Sequence, residues 1–195
     1  ELRARKGKEE LRELARAVDT SVDMHLAALR MARPGLRESD LAAKVTEIAL
    51  AAGGALAFPV IATVHGETLH NHGYGNTLEP GQLFLLDTGA EAPSRYAGDL
   101  TSTFPVGPTF TPRQREVYDI VLAAFLAAEA ALKPGVPFKE VHLLACRTLA
   151  EGLKGLGLMK GDPAEAVAAG AHAMFFPCGL GRMMGLDVHD MEDLG

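Results

Sequence analysis

Two aspartates stand at the ends of strand-like runs, Gly81-Gln-Leu-Phe-Leu-Leu-Asp87-Thr-Gly-Ala-Glu91 and Tyr96-Ala-Gly-Asp99-Leu-Thr-Ser-Thr-Phe-Pro105. Asp87 closes an apolar run that reads as a buried strand. A Gly/Pro/Ser-bearing turn from Gly89 to Arg95 reverses the chain, and Asp99 opens the return, where Thr101 and Thr103 alternate with Ser102 and Phe104. Carboxylates facing each other across a hairpin make half of a site for hard divalent cations, and oxygen ligands from two strands can bridge two such ions. Strand-end aspartates also cap turns, so the pair acquires chemical meaning only from what surrounds it.

The surroundings are specific. Arg33-Pro-Gly-Leu-Arg-Glu-Ser39 and Thr68-Leu-His70-Asn-His72 precede the aspartates, and Thr111-Pro-Arg-Gln-Arg-Glu-Val-Tyr118 and Gly185-Leu-Asp-Val-His189-Asp190 follow them. With these segments in this order, the chain resembles the catalytic domain of the Xaa-Pro aminopeptidase and Xaa-Pro dipeptidase (prolidase) group of metallopeptidases. That group shares its "pita-bread" fold with methionine aminopeptidase. The resemblance implies an α+β, creatinase/aminopeptidase-like architecture of two similar α/β halves related by a pseudo-twofold. It also implies two divalent metal ions (manganese, cobalt or zinc) and hydrolysis of the peptide bond before proline in proline-containing peptides. Of the family's five metal ligands it assigns Asp87 and Asp99. His70 and His189 are assigned as active-site histidines that contact the substrate or its tetrahedral intermediate, and His72 and Cys178 as pocket-bordering positions.

One ligand position departs from the family pattern. The metal-binding histidine belongs seven residues before His189, and that residue is Arg182. A guanidinium is always protonated and has no lone pair for a metal. The two glutamate ligands of the family would fall beyond Gly195. Two readings follow: a metallopeptidase whose parent chain is longer, or a catalytically silent relative that keeps a peptide cleft. Arg182 is also a candidate to bridge Asp87 or Asp99 and replace the cation electrostatically.

The elements that must position these groups are legible from periodicity. Residues 8–32 read as one amphipathic helix, with Leu11, Leu14, Ala15, Val18, Val22, Leu26 and Leu29 as its apolar stripe. Ser39 starts a second helix bearing Leu41, Val45, Ile48 and Ala49, which ends at Gly53-Gly54. Strands are expected near 57–64, 82–87 and 98–104. Thr111-Pro-Arg-Gln114 has capping-box form and opens a helix to about Leu132; another runs from Phe138 to about Leu153. The helix–Pro-Gly–helix pattern at Pro34-Gly35 recurs 100 residues on, at Pro134-Gly135, which agrees with a duplicated half. Counted on that register, the second half runs out of chain before its closing strands, and its sheet edges would be left unpaired.

Composition sets outer bounds. With 195 residues and 48% hydrophobic content, a single domain over 1–195 with one sizeable core is expected. A net charge of −6 leaves no footprint for nucleic acid or an anionic membrane. No apolar run suits a membrane span, and the charged start Glu1-Leu-Arg-Ala-Arg-Lys6 is unlike a signal peptide, so a cytoplasmic location is expected. Two cysteines, Cys146 and Cys178, are too few for a disulfide scaffold. In the family an N-terminal domain commonly mediates dimers; none is legible here, which leaves a homodimer open. His25 and His142 fall in helical patterns and read as structural or solvated, while His65 and His172 read as loop positions. His189 stands in an acidic stretch with Asp187, Asp190, Glu192 and Asp193.

Overall fold

A computed structural model describes residues 3–191 of the protein; Glu192 and Asp193 lie outside the described residues. The chain divides into two compact units. One comprises the chain up to Phe110 together with the stretch from Arg182 onward, and the other is Thr111–Gly181.

The first unit is built on a three-stranded antiparallel sheet. Its strands are β2 (Ile61–Thr63), β3 (Leu83–Thr88) and β5 (Leu100–Pro105), with β3 in the centre. Short strands β1 (Ala55–Leu56) and β4 (Ala90–Glu91) pair beside it. Helices α1 (Lys8–Met31) and α2 (Glu38–Ala51) cover one sheet face. Met24, Ala28, Leu41 and Val45 from the helices meet Phe84, Leu86 and Phe104 from the strands in one buried cluster. Phe84 and Phe104 are cross-strand partners whose ring centroids lie 5.5 Å apart.

The face that α1 buries is not the expected leucine stripe. Ala17, Ser21, Met24, His25 and Ala28 point inward, while Leu11, Val22, Leu26 and Leu29 are exposed. Close approach explains the inversion. Gly98 lies so near α1 that a Cβ there would collide with Ser21 Oγ and the Ala17 carbonyl. Only small side chains fit that seam, and Ser21 Oγ uses it to accept the Ala90 N–H at 2.9 Å. The second helix begins one residue earlier than expected: Glu38 is already helical, and Asp40 accepts the Arg37 N–H at 2.8 Å. The reversal after Asp87 is also tighter than the sequence suggested. Pairing continues through Ala90 and Glu91, and the turn closes at residues 92–96, with Arg95 at φ 73°.

In the second unit α3 (Pro112–Ala131) and α4 (Phe138–Gly155) pack as a pair, followed by α5 (Pro163–Ala168) and a 3-10 turn over Ala171–Met174. Thr111 Oγ1 accepts the Gln114 N–H and Gln114 Oε1 accepts the Thr111 N–H, completing the expected capping box. The turns Gly35 and Gly135 share a left-handed backbone, with φ 91° and 86°. Among the described residues no strand falls in this unit, and no helix of the chain is long and apolar enough to cross a membrane.

Candidate functional site

Register fixes the geometry of the aspartate pair. Asp87 on β3 faces Thr101 on β5, and Asp99 lies two residues before Thr101, a diagonal neighbour on the same sheet face. Phe84, Leu86 and Thr88 alternate onto the buried face, so Asp87 is turned away from the helices. Gly89 and Gly98 bring the strands close at this point; a Cβ on Gly89 would strike the Gly98 carbonyl. Asp99 keeps only 16% of its side chain exposed. Burial, and then the negative charge of Asp87, push its carboxyl above the ordinary range, while Arg182, His189 and His25 pull it down.

Arg182 and His189 arrive on the returning segment. The Ala97 N–H donates to the Gly185 carbonyl at 2.9 Å, and the Asp190 N–H donates to the Met183 carbonyl at 3.0 Å, which folds residues 183–190 against the hairpin. Arg182 Nε then stands 3.5 Å from Asp99 Oδ2, an ion pair at the outer limit of hydrogen bonding. Asp187, Asp190, Arg3 and Lys6 anchor the far side. Asp190 is buried at 2% exposure, with Lys6 Nζ 2.6 Å from its Oδ2 and Arg3 on its other oxygen; Arg3 also meets Asp187 at 2.6 Å. The structure thus gathers Asp87, Asp99, Arg182 and His189 at one end of the β3–β5 pair.

His70 and His72 occupy the exposed connection between β2 and β3. His70 has a left-handed backbone at φ 53°, and the His72 ring Nδ1 meets the Val60 carbonyl at 3.4 Å. Among the described residues no hydrogen bond or ion pair joins His70 to either aspartate. Cys178 is an exposed free thiol in the second unit.

Two supporting residues were given no part in the site by the sequence. Glu38 is fully buried, and its carboxylate accepts from Thr63 Oγ1, the Val64 N–H, the Asn76 N–H and Asn76 Nδ2 at 2.9–3.0 Å. Burial drives its carboxyl upward, but these donors outweigh it and hold it below the usual range. Glu38 therefore ties both ends of the connection that carries His70 and His72. His25, read as structural, lies on the opposite side of the strands from the aspartates. Its Nε2–H donates to the Thr88 carbonyl at 3.2 Å, which leaves Nδ1 to accept from Ser102 Oγ at 2.8 Å. No periodic signal marks either residue, although the flanking Arg-Glu-Ser segment marks the place of Glu38.

The donor set fits hard cations in part. Two carboxylates from adjacent strands, one of them uncomfortable when charged, suit divalent ions with oxygen preference. Arg182 does not fit as a ligand, and its cationic head already leans on Asp99.

Comparison with known proteins gives the lineage. The model of metallopeptidase family M24 matches residues 12–195. The chain belongs to metallopeptidase family M24. It is 37% identical over 200 residues to the Xaa-Pro aminopeptidase of Escherichia coli (strain K12), covering 100% of this chain and 45% of that protein. It is 37% identical to a probable Xaa-Pro aminopeptidase of Botryotinia fuckeliana (strain B05.10), covering 97% of this chain and 42% of the relative. Among solved structures it matches zinc-substituted E. coli aminopeptidase P in complex with product, with a TM-score of 0.93, 37% identity, and coverage of 97% and 44% of the two chains. Pseudomonas aeruginosa aminopeptidase PepP matches with a TM-score of 0.94, 32% identity, and coverage of 97% and 43%. The chain thus spans less than half the length of these M24 relatives, and over that span its fold is part of the pita-bread domain.

Proposed function

We propose that this M24 chain carries the aspartate side of a divalent-metal centre that hydrolyses the peptide bond before proline in proline-containing peptides. The observation that supports this reading is the shared face of Asp87 and Asp99, with His189 and Arg182 gathered beside it. The relatives named above are aminopeptidases, and a silent peptide-binding module finds no support among them. Bound ions of the manganese, cobalt or zinc type would supply Lewis-acid activation of water and of the scissile carbonyl. Asp87 and Asp99 would hold those ions. His189 and His70 would hydrogen-bond the substrate carbonyl and the charge that develops on its oxygen. Glu38 holds the His70 connection in place, and the free thiols Cys146 and Cys178 fit a reducing compartment such as the cytoplasm.

Arg182 gives the centre its peculiarity. With a guanidinium on Asp99 and two carboxylates as donors, this chain alone should take up manganese or cobalt only weakly, and calorimetry at micromolar concentrations should register little heat. Stoichiometric uptake of two ions would refute that expectation. In the full-length protein, Asp87→Asn and Asp99→Asn should each cut Xaa-Pro cleavage by at least about a hundredfold, since metal activation supplies several kcal/mol. Undiminished cleavage in either variant would remove the aspartates from the mechanism. Arg182→His should tighten divalent binding, and unchanged affinity would show that the guanidinium does not compete with the ion.

A further inference from the structure

The second unit holds a group of donors that the aspartate centre does not use. His142 and Cys146 stand one turn apart on α4, so both project from the same face of the helix. His172, on the 3-10 turn over Ala171–Met174, approaches them from the following segment. One nitrogen from each imidazole and the Cys146 sulfur all lie within 4.8 Å of one another. Cys146 is fully buried, and its sulfur is 3.4 Å from His142 Nε2. A separate observation concerns a member of the same group: His172 Nδ1 is buried and has no hydrogen-bond partner. A buried ring nitrogen without a partner is costly, and a ligand would satisfy it.

We propose that His142, Cys146 and His172 form a binding site for a borderline-soft divalent ion of the zinc class, separate from the aspartate centre. Two imidazoles and a thiolate are the donor types such ions select, whereas the oxygen donors of Asp87 and Asp99 select harder ones. Three protein ligands leave a fourth position for solvent. Leu143, Met159, Val167 and Phe176 pack with Cys146 in one apolar cluster, which shields the sulfur side of the group from water. A cavity of about 130 Å³, lined by His172 and Phe176 among others, adjoins the group on the His172 side.

The proton balance is simple. The Leu180 N–H donates to His142 Nδ1 at 3.3 Å, so in the empty state Nε2 carries the ring proton and directs it at the sulfur. Ion binding moves that proton to Nδ1 through solvent, releases the Cys146 thiol proton to solvent, and leaves Leu180 without its acceptor. The bond given up is long and weak beside a metal–ligand bond. The consequence would be a clamp joining α4 to the 171–174 turn.

Cobalt titration of the full-length protein, followed by absorption, tests this directly. A near-ultraviolet thiolate-to-cobalt band should appear in proportion to added ion and vanish when zinc is added in excess. Oxygen ligands at the aspartates cannot produce that band, so failure here and failure of the peptidase reading are distinguishable. Cys146→Ser should abolish the band, and Cys178→Ser should keep it. His172→Ala should weaken cobalt binding by more than the roughly 10–100-fold typical of losing an outer partner. If Cys146→Ser does not fold by circular dichroism, His172→Ala decides the matter. No band in the unaltered protein, a band lost in Cys178→Ser instead, or unchanged affinity in His172→Ala would each overturn the site.

Discussion

Asp99 carries the electrostatic tension of the aspartate centre. Its carboxyl is raised by burial and by Asp87, so the folded chain holds that proton to a higher pH than the unfolded chain does. Stability from this group is present at acid pH and is lost as pH rises from the ordinary value of 3.8 through the raised one. In chelator at pH 7, Asp99→Asn should therefore melt above the unaltered protein, and the gap should close on acidification. His25 works in the opposite direction. Burial holds its imidazole below the ordinary value of 6.5, so stability is full above that value and falls as pH drops through the folded one. Thermal unfolding of His25→Gln should lose that part of the acid sensitivity; an identical pH profile would assign the sensitivity elsewhere. At this scale the sequence marks the pair through its neighbours. Asp87, Asp99 and His189 stand out because their neighbours fix them. His25 does not, since a histidine neutralised by burial looks in a sequence like any other helical histidine.

At the scale of elements, small residues decide where the site sits. α1 rests on Gly98 through Ala17 and Ser21, and that seam sets the height of the Asp99 strand against the helix. Gly98→Ala should destabilise by about 1–3 kcal/mol through overpacking, measured by urea unfolding. Glu38→Ala would strip the acceptor from the half-buried Val64 and Asn76 and from the buried Thr63 hydroxyl, whose loss alone costs about 1–3 kcal/mol. Hydrogen exchange in that variant should quicken across residues 64–76 first; uniform quickening would mean Glu38 supports the whole unit instead. Helix ends and the long strands were legible because caps, Pro-Gly stops and alternation are local signals. The buried face of α1 was not, because hydropathy favours its leucines while the packing seam admits only alanine, serine and glycine. α5 also escaped notice, although Asp162 caps it and Pro163 opens it.

Over the whole molecule, the first unit is discontinuous in sequence, with Thr111–Gly181 inserted into it. What closes it is the cluster of Arg3, Lys6, Asp187 and Asp190. Asp190→Asn would leave Lys6, only 10% exposed, beside an uncharged partner, and breaking a buried pair in this way costs about 3–5 kcal/mol. Denaturant melts should show a loss of that size; a loss below about 1 kcal/mol would mark the pair as surface-like. The duplicated helix–Pro-Gly–helix pattern was readable in the sequence. The closure was not, since nothing local relates residue 6 to residue 190.

That closure imposes an order in time. Lys6 and Asp190 are 184 positions apart, so during synthesis the cation emerges first and its partner only after all the residues between them have been made. Until then α1 and the hairpin must wait with Tyr96 and Ser94 bonded to Glu10 and Glu13 but without the segment from Arg182 to Asp190. The entropy of closing so long a loop grows only slowly with its length, so the delay is kinetic more than energetic. A ribosome-bound chain halted before Arg182 should accordingly resist protease less well over residues 3–110 than one halted once Asp190 has emerged.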